Sequence, residues 1–424
     1  MGGPGNQETG REVQHDMDMT IPINQGNAIR LKMEKPMLSY FNAESLNKVS
    51  LPPKVTIYDS TLRDGEQMPG VAFRHSEKIE IARTLSEIGV PQIEAGFPAV
   101  STGEKKAVKE IASLKLGSEI LALARTNKSD IDAALECDVD MVMLFMASSD
   151  LHLEHKYRIT RSQQLENITE ALEYASAHGL KYSFSTEDST RTEYDYLLEI
   201  SRLAENLGAC RIGISDTTGC ILPRALGGLV KNLVESLNVP VSVHLHNDYG
   251  LALANALASI ENGSAAVATT VNGIGERAGN VPTEMLAIAL ETIYGIDTGI
   301  DLSSLTKVCT RVSELSGVGI SKNHPWVGTN AFKHESGIHI AAIMSNPSTY
   351  ECLPPETVGG KRELVLGKHS GRFAVTQRLQ KLGLSISEAE VKHVVEKVKE
   401  LSQEGQRIDD NALLDIVKQC GGGK

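Results

Sequence analysis

Residues 54–67, KVTIYDSTLRDGEQ, decide the fold. A short apolar run, Val55 to Tyr58, gives way at once to Asp59, Arg63, Asp64 and Glu66. A run this brief, ending in turn and charge signals, reads as a strand buried on both faces. An open nucleotide-binding sheet would carry a Gly-rich GxGxxG turn after this strand, and none is present. Outward from it the same pattern recurs at 92–96 (QIEAG), 120–124 (ILALA), 139–145 (VDMVMLF), 181–186 (KYSFST), 210–215 (CRIGIS), 239–246 (VPVSVHLH) and 266–272 (AVATTVN). Stretches of helical period lie between them, including 76–88, 161–178, 193–207, 222–236, 250–262 and 282–294. In the first of these, Ser76 is a candidate N-cap before Ile79, Ile81, Ala82, Leu85 and Ile88. Eight strands alternating with helices predict a (β/α)8 barrel over 51–296, with its chemistry at the strand C-termini.

The chain has 424 residues, 41% hydrophobic, and a formal charge of −12. Length alone suggests about three domains, but one barrel absorbs about 250 residues. Residues 1–50 read as a polar, loosely held tail. Residues 297–424, loop-rich over 317–372 and helical again over 387–402, read as a C-terminal subdomain packed on the barrel or on a second subunit. The acidic balance, with no basic cluster interleaved with aromatics, argues against nucleic acid. No apolar run reaches the roughly 20 residues of a membrane span. Six scattered cysteines without a CxxC, and no basic-then-apolar leader, point to the cytoplasm.

His244-Leu245-His246 ends the seventh strand. Residues i and i+2 of a strand share a face, so both imidazoles should enter the barrel mouth, a natural pair of ligands for a divalent ion such as Mg²⁺, Mn²⁺ or Zn²⁺. An isolated HxH is more often core packing, but Asn247 and Asp248 follow where strand yields to loop. Asp64 offers a carboxylate oxygen beside them. Arg63 can stabilise negative charge growing on a carbonyl oxygen, and Gln67 shares its loop. The plainer alternative is a solvated Asp–Arg network. The eighth strand runs into 272–280, NGIGERAGN, where Asn280 could add a neutral oxygen ligand. Ser185, Glu187 and Thr217 reach the same rim from strands five and six, where such residues can also serve merely as helix caps.

Taken together, LRDGEQ, HLHND, NGIGERAGN, FKHESGIH and LGKHSGR resemble, in order and over about residues 54–375, the acetyl-CoA-dependent 2-isopropylmalate, homocitrate and citramalate synthases. The resemblance implies a divalent metal held by Asp64, His244 and His246 with Asn280 close by, and a 2-oxo acid site with Arg63 on the ketone and Glu187 and Thr217 lining it. It also implies a homodimer in which His339 and Tyr350 arrive from the partner, His339 being a candidate base. Ordinary loop packing is the alternative for both.

A lyase splitting a 3-hydroxyacyl-CoA would use similar ligands, but those enzymes carry a Cys in the last glycine loop, absent here. A non-catalytic binding module would have lost polar site residues. An unusual citrate synthase is a further alternative. Among the synthases, 70–82 and 335–343 look most like homocitrate synthases, and too little chain follows residue 375 for a leucine-sensing domain. Lysine-pathway homocitrate synthases usually carry Glu where Asp64 stands and a carboxylate-reading Arg where Ser183 stands. With Ser183 there, Arg125 and His152 become the candidates to bind the distal carboxylate of 2-oxoglutarate. The alternatives are 2-oxoisovalerate and pyruvate as substrates.

Overall fold

A computed structural model describes residues 39–421. Eight parallel strands close into a barrel in sequence order: β1 Thr56–Asp59, β2 Gln92–Glu94, β3 Glu119–Arg125, β4 Met141–Ala147, β5 Tyr182–Glu187, β6 Ile212–Asp216, β7 Val241–Leu245 and β8 Ala266–Thr269. Closure is made by β1 on β8, with Thr56 opposite Ala266 and Asp59 opposite Thr269. Every strand faces the barrel interior on one side and helices on the other, which is why the runs are apolar throughout rather than alternating. Tyr58, Leu121, Met141, Met143, Ala266 and Ala268 fill the interior. A larger layer, with Ile57, Ile93, Val142, Phe184, Ile214 and Val243 on its strand side, packs the helices outside.

All eight expected strands are present, with shifted ends. β7 stops at Leu245, so His246 lies just beyond it, bridged to Asn280, and β8 stops at Thr269 rather than at residue 272. The helix expected over 76–88 spans His75–Glu87, and its cap position is Arg74 instead of Ser76. Glu77 accepts the Arg74 N–H at 2.7 Å and so closes that end. The first part of the expected tail lies outside the described residues, but Tyr40–Leu46 is a helix with no buried residue.

The barrel core continues past residue 296. Helix Leu305–Ser316 places Val308, Cys309 and Val312 in it, and Val327, Phe332, Leu353 and Val358 join it. A second apolar cluster gathers Ile340, Val375, Leu379, Val394, Val398, Leu413 and Ile416 from helices Gly337–Ser345, Arg372–Lys381, Glu388–Gln403 and Asp410–Gln419. The loop-rich stretch thus contains a helix, Gly337–Ser345, whose apolar composition carries no clear period.

Candidate metal centre and active site

β1 delivers Arg63 and Asp64 through a tight turn in which the N–H groups of Arg63 and Gly65 bond back to the Ser60 carbonyl at 3.1 Å. β7 delivers His244 and, one step beyond its end, His246. Asp64, His244 and His246 each offer an atom within 4.8 Å of the others. The two Nε2 atoms are 3.3 Å apart, and the Asp64 carboxylate lies 3.3 Å from His244 and 4.0 Å from His246. Burial foremost, with His244 adding, lowers the His246 pKa to about 4, so this imidazole is neutral near pH 7. Burial opposes ionisation of Asp64, yet Arg63 beside it and His244 outweigh that and hold its carboxyl well below the usual range.

A proton on only one of two facing nitrogens satisfies a single pair, and nothing apolar explains this convergence. Ligands bound at about 2.1 Å stand roughly 3 Å from one another, so the donor set fits one divalent ion. The outward Nδ1 atoms of both histidines are buried without a protein partner. Metal-bound imidazoles ordinarily have their second nitrogen satisfied, and among the described residues no protein group does so here.

Asn280 is buried here, but its amide nitrogen donates to Asp64 Oδ1 at 2.9 Å while its own oxygen has no partner. In this orientation it steadies the carboxylate. Gly275 passes so close that a Cβ there would stand 2.1 Å from Asn280 Nδ2 and 2.7 Å from Asp64 Oδ1. Arg63 donates to Asp64 at 2.7 Å and to the fully buried Glu94 at 2.8 Å, and Ser60 donates to the other oxygen of Glu94. Its guanidinium is therefore fixed beside the triad.

These groups open into a cavity of about 300 Å³. Arg63, Asp64, Gln67, Ser185, Glu187, Thr217, His244 and His246 all line it, as the sequence suggested. Arg125 and His152 do not. The Arg125 guanidinium is held by Asp130 at 2.7 and 3.0 Å on the exposed rim, and His152 sits among carboxylates, 3.8 Å from Glu187 and 3.9 Å from Asp188. His339 and Tyr350 are absent from the lining as well; their rings stack on each other with centroids 3.9 Å apart. Sequence reasoning missed Lys156, which enters the cavity and grips Glu187 at 2.6 and 2.8 Å, Arg277, and an apolar wall of Phe97, Leu123, Met143 and Phe145. The wall was readable in part, since Met143 and Phe145 stand at i and i+2 of β4.

Fold and site together define a (β/α)8 barrel with a histidine and carboxylate metal centre at its mouth. The model of the HMGL-like family matches residues 54–312, and that of the homocitrate synthase post-HMGL domain-like family matches 326–406. A homocitrate synthase AksA of Methanopyrus kandleri is 48% identical over 382 residues, which is 90% of this chain and 96% of that protein. A 2-isopropylmalate synthase of Methanocaldococcus jannaschii is 43% identical over 383 residues, 89% of this chain and 74% of that protein. The crystal structure of the HMG-CoA lyase of Bacillus subtilis shares the barrel at 22% identity and a TM-score of 0.58, over 64% of this chain and 97% of that one. The chain belongs to the family of homocitrate, 2-isopropylmalate and citramalate synthases.

Proposed function

We propose that this protein is an acyltransferase that condenses acetyl-CoA with a 2-oxo acid, 2-oxoglutarate giving homocitrate. The observation that carries the reading is the Asp64, His244 and His246 cluster with Arg63 locked beside it in an open cavity. The match along nearly the whole length of a homocitrate synthase supports the choice of acid. A divalent ion held by the triad would supply Lewis acidity and a template for the 2-oxo acid head. Arg63 sets a permanent positive charge where the ketone oxygen becomes an alkoxide. A base removes a proton from the acetyl-CoA methyl group, the resulting carbanion attacks the keto carbon, and water then cleaves the thioester to release coenzyme A.

His339 is the candidate base, with Tyr350 stacked on it, supplied by a second copy in a homodimer. Three observations support that arrangement. The helix bearing His339 is anchored in the C-terminal cluster through Ile340, neither ring lines the cavity of its own chain, and apolar side chains ring the mouth. Val100, Leu151, Leu222 and Tyr249, from the loops after β2, β4, β6 and β7, are 48–74% exposed, and Ile338 and Met344 are exposed beside His339. All six cysteines are free, which suits a reducing compartment such as the cytoplasm. Among the described residues no helix is long and apolar enough to cross a membrane.

The test is thiol release from acetyl-CoA with 2-oxoglutarate, 2-oxoisovalerate, pyruvate or oxaloacetate, before and after chelation and metal return. Fastest turnover of 2-oxoglutarate, abolished by chelator, is expected. A preference for 2-oxoisovalerate by more than about tenfold in kcat/KM, about 1.4 kcal/mol, would transfer the assignment to 2-isopropylmalate synthesis. One feature favours that second reading: the buried Ser183, whose hydroxyl has no partner, puts a neutral group where a carboxylate-reading arginine would stand.

A further inference from the structure

We propose that Lys156 is the residue that selects a 2-oxo acid carrying a second, distal carboxylate. The inference rests on the condensing function proposed above and concerns which residue reads the far end of its substrate.

The topology sets the direction of the substrate. In a closed ring of eight strands, β5 lies four strands from β1 either way round, and β4 lies four from β8. The triad stands on the β7, β8 and β1 side. An acid whose 2-oxo head is held there must therefore extend its tail towards the loops after β4 and β5. Leu123, Met143 and Phe145, from β3 and β4, give that path an apolar wall suited to methylene groups.

At the end of the path the charges matter. Glu187, at the end of β5, faces the cavity and would repel an incoming carboxylate. Among the described lining residues three are cationic. Arg63 is committed to Asp64 and Glu94, and Arg277 to both oxygens of Asp248 at 2.9 Å and to the Thr217 carbonyl. Lys156 alone stands on the β4 and β5 side, in a wide helical turn over Leu153–Tyr157 that ends with Arg158 in the left-handed region at φ 56. Such widened turns are enriched at functional sites.

Lys156 donates to both oxygens of Glu187, and an ammonium has three donors. It can bridge Glu187 and a substrate carboxylate at the same time. The chain already contains this arrangement elsewhere: Lys78 pairs with both Glu66, at 2.6 Å, and Glu104. A 2-oxo acid with a plain alkyl tail has no use for such a bridge. Lys156 therefore separates the two substrate classes, whereas Arg125 and His152 do not line the cavity.

The decisive pair of ligands is 2-oxoglutarate and 2-oxopentanoate, equal in chain length and differing only in the distal carboxylate. Dissociation constants for both, measured calorimetrically on the metal-loaded protein, are compared between wild type, Lys156→Met and Lys156→Arg. Lys156→Met should weaken 2-oxoglutarate at least about tenfold more than 2-oxopentanoate, and Lys156→Arg should restore part of the difference. Equal losses for both acids would mean that Lys156 merely holds Glu187, and no loss would mean that it does neither; either result overturns the proposal. Should Lys156→Met fail to fold, judged by its melting curve, Lys156→Gln takes its place. Because binding is read directly, a wild type that binds 2-oxoglutarate yet fails to release thiol from acetyl-CoA refutes the condensing function without deciding the role of Lys156.

Discussion

Arg63 is held on one side by Asp64 and on the other by Glu94, and that double grip requires a planar fork. Lysine cannot reproduce it. Arg63→Lys should fold and retain its metal, yet lose on the order of a hundredfold in kcat, the roughly 3 kcal/mol carried by one well-placed donor to a developing oxyanion. Metal content by elemental analysis alongside kcat checks this, and a loss below a few-fold would make Arg63 structural. Asp59 gives a second prediction at this scale. It is wholly buried, and burial, only partly offset by hydrogen bonds from Thr283 and Thr61, raises its pKa from 3.8 to about 6. The folded state therefore keeps the proton where the unfolded chain releases it. Its stabilising contribution is whole below pH 4 and is lost as pH rises through about 6, a change of about 3 kcal/mol. Denaturant titrations from pH 4 to 7 should show this decline in the wild type and a flatter profile in Asp59→Asn; parallel profiles would contradict it.

The loop after β8 shows how one element depends on another's freedom from side chains. Gly275→Ala would push a Cβ into the Asp64 and Asn280 pair, so metal affinity should fall roughly 10–100-fold while the barrel still melts cooperatively. Competition against a metal-chelating dye measures the change, and unchanged affinity would show that the loop yields. Elements of this kind were legible in the sequence where a period carried the information. The strands stood out as apolar runs, and His244 and His246 revealed themselves because strand alternation converts an i, i+2 pair into a shared face. Lys156 gave no such signal, since a wide turn ending in a left-handed residue has no periodicity that could aim its side chain. Arg125 misled for a different reason. It does lie at the end of β3, but Asp130 five residues later, at the start of the next helix, captures its guanidinium. The helix around His339 was hidden because GIHIAAIMS is apolar on nearly every side.

Across the whole molecule, barrel and C-terminal helices keep separate apolar cores, so His339 is anchored in a different cluster from the triad. Mixing inactive Asp64→Ala and His339→Ala chains should restore activity, because each mixed dimer contains one site with neither defect. Proven heterodimers that stay inactive would refute the crossed arrangement. Closure of β1 on β8 also has a consequence for biosynthesis. Asp64 leaves the ribosome early, His244 and His246 come 180 and 182 positions later, and the Asn280 that steadies Asp64 comes last. Bringing such distant segments together is the slow, entropically costly stage of folding. A nascent chain halted before β7 presents Asp64 without the two imidazoles that join it in the folded site, too poor a donor set there to capture a transition metal. Metal uptake is thereby deferred until β7 has been made, and the ion, when it binds, would tie the first strand to the seventh.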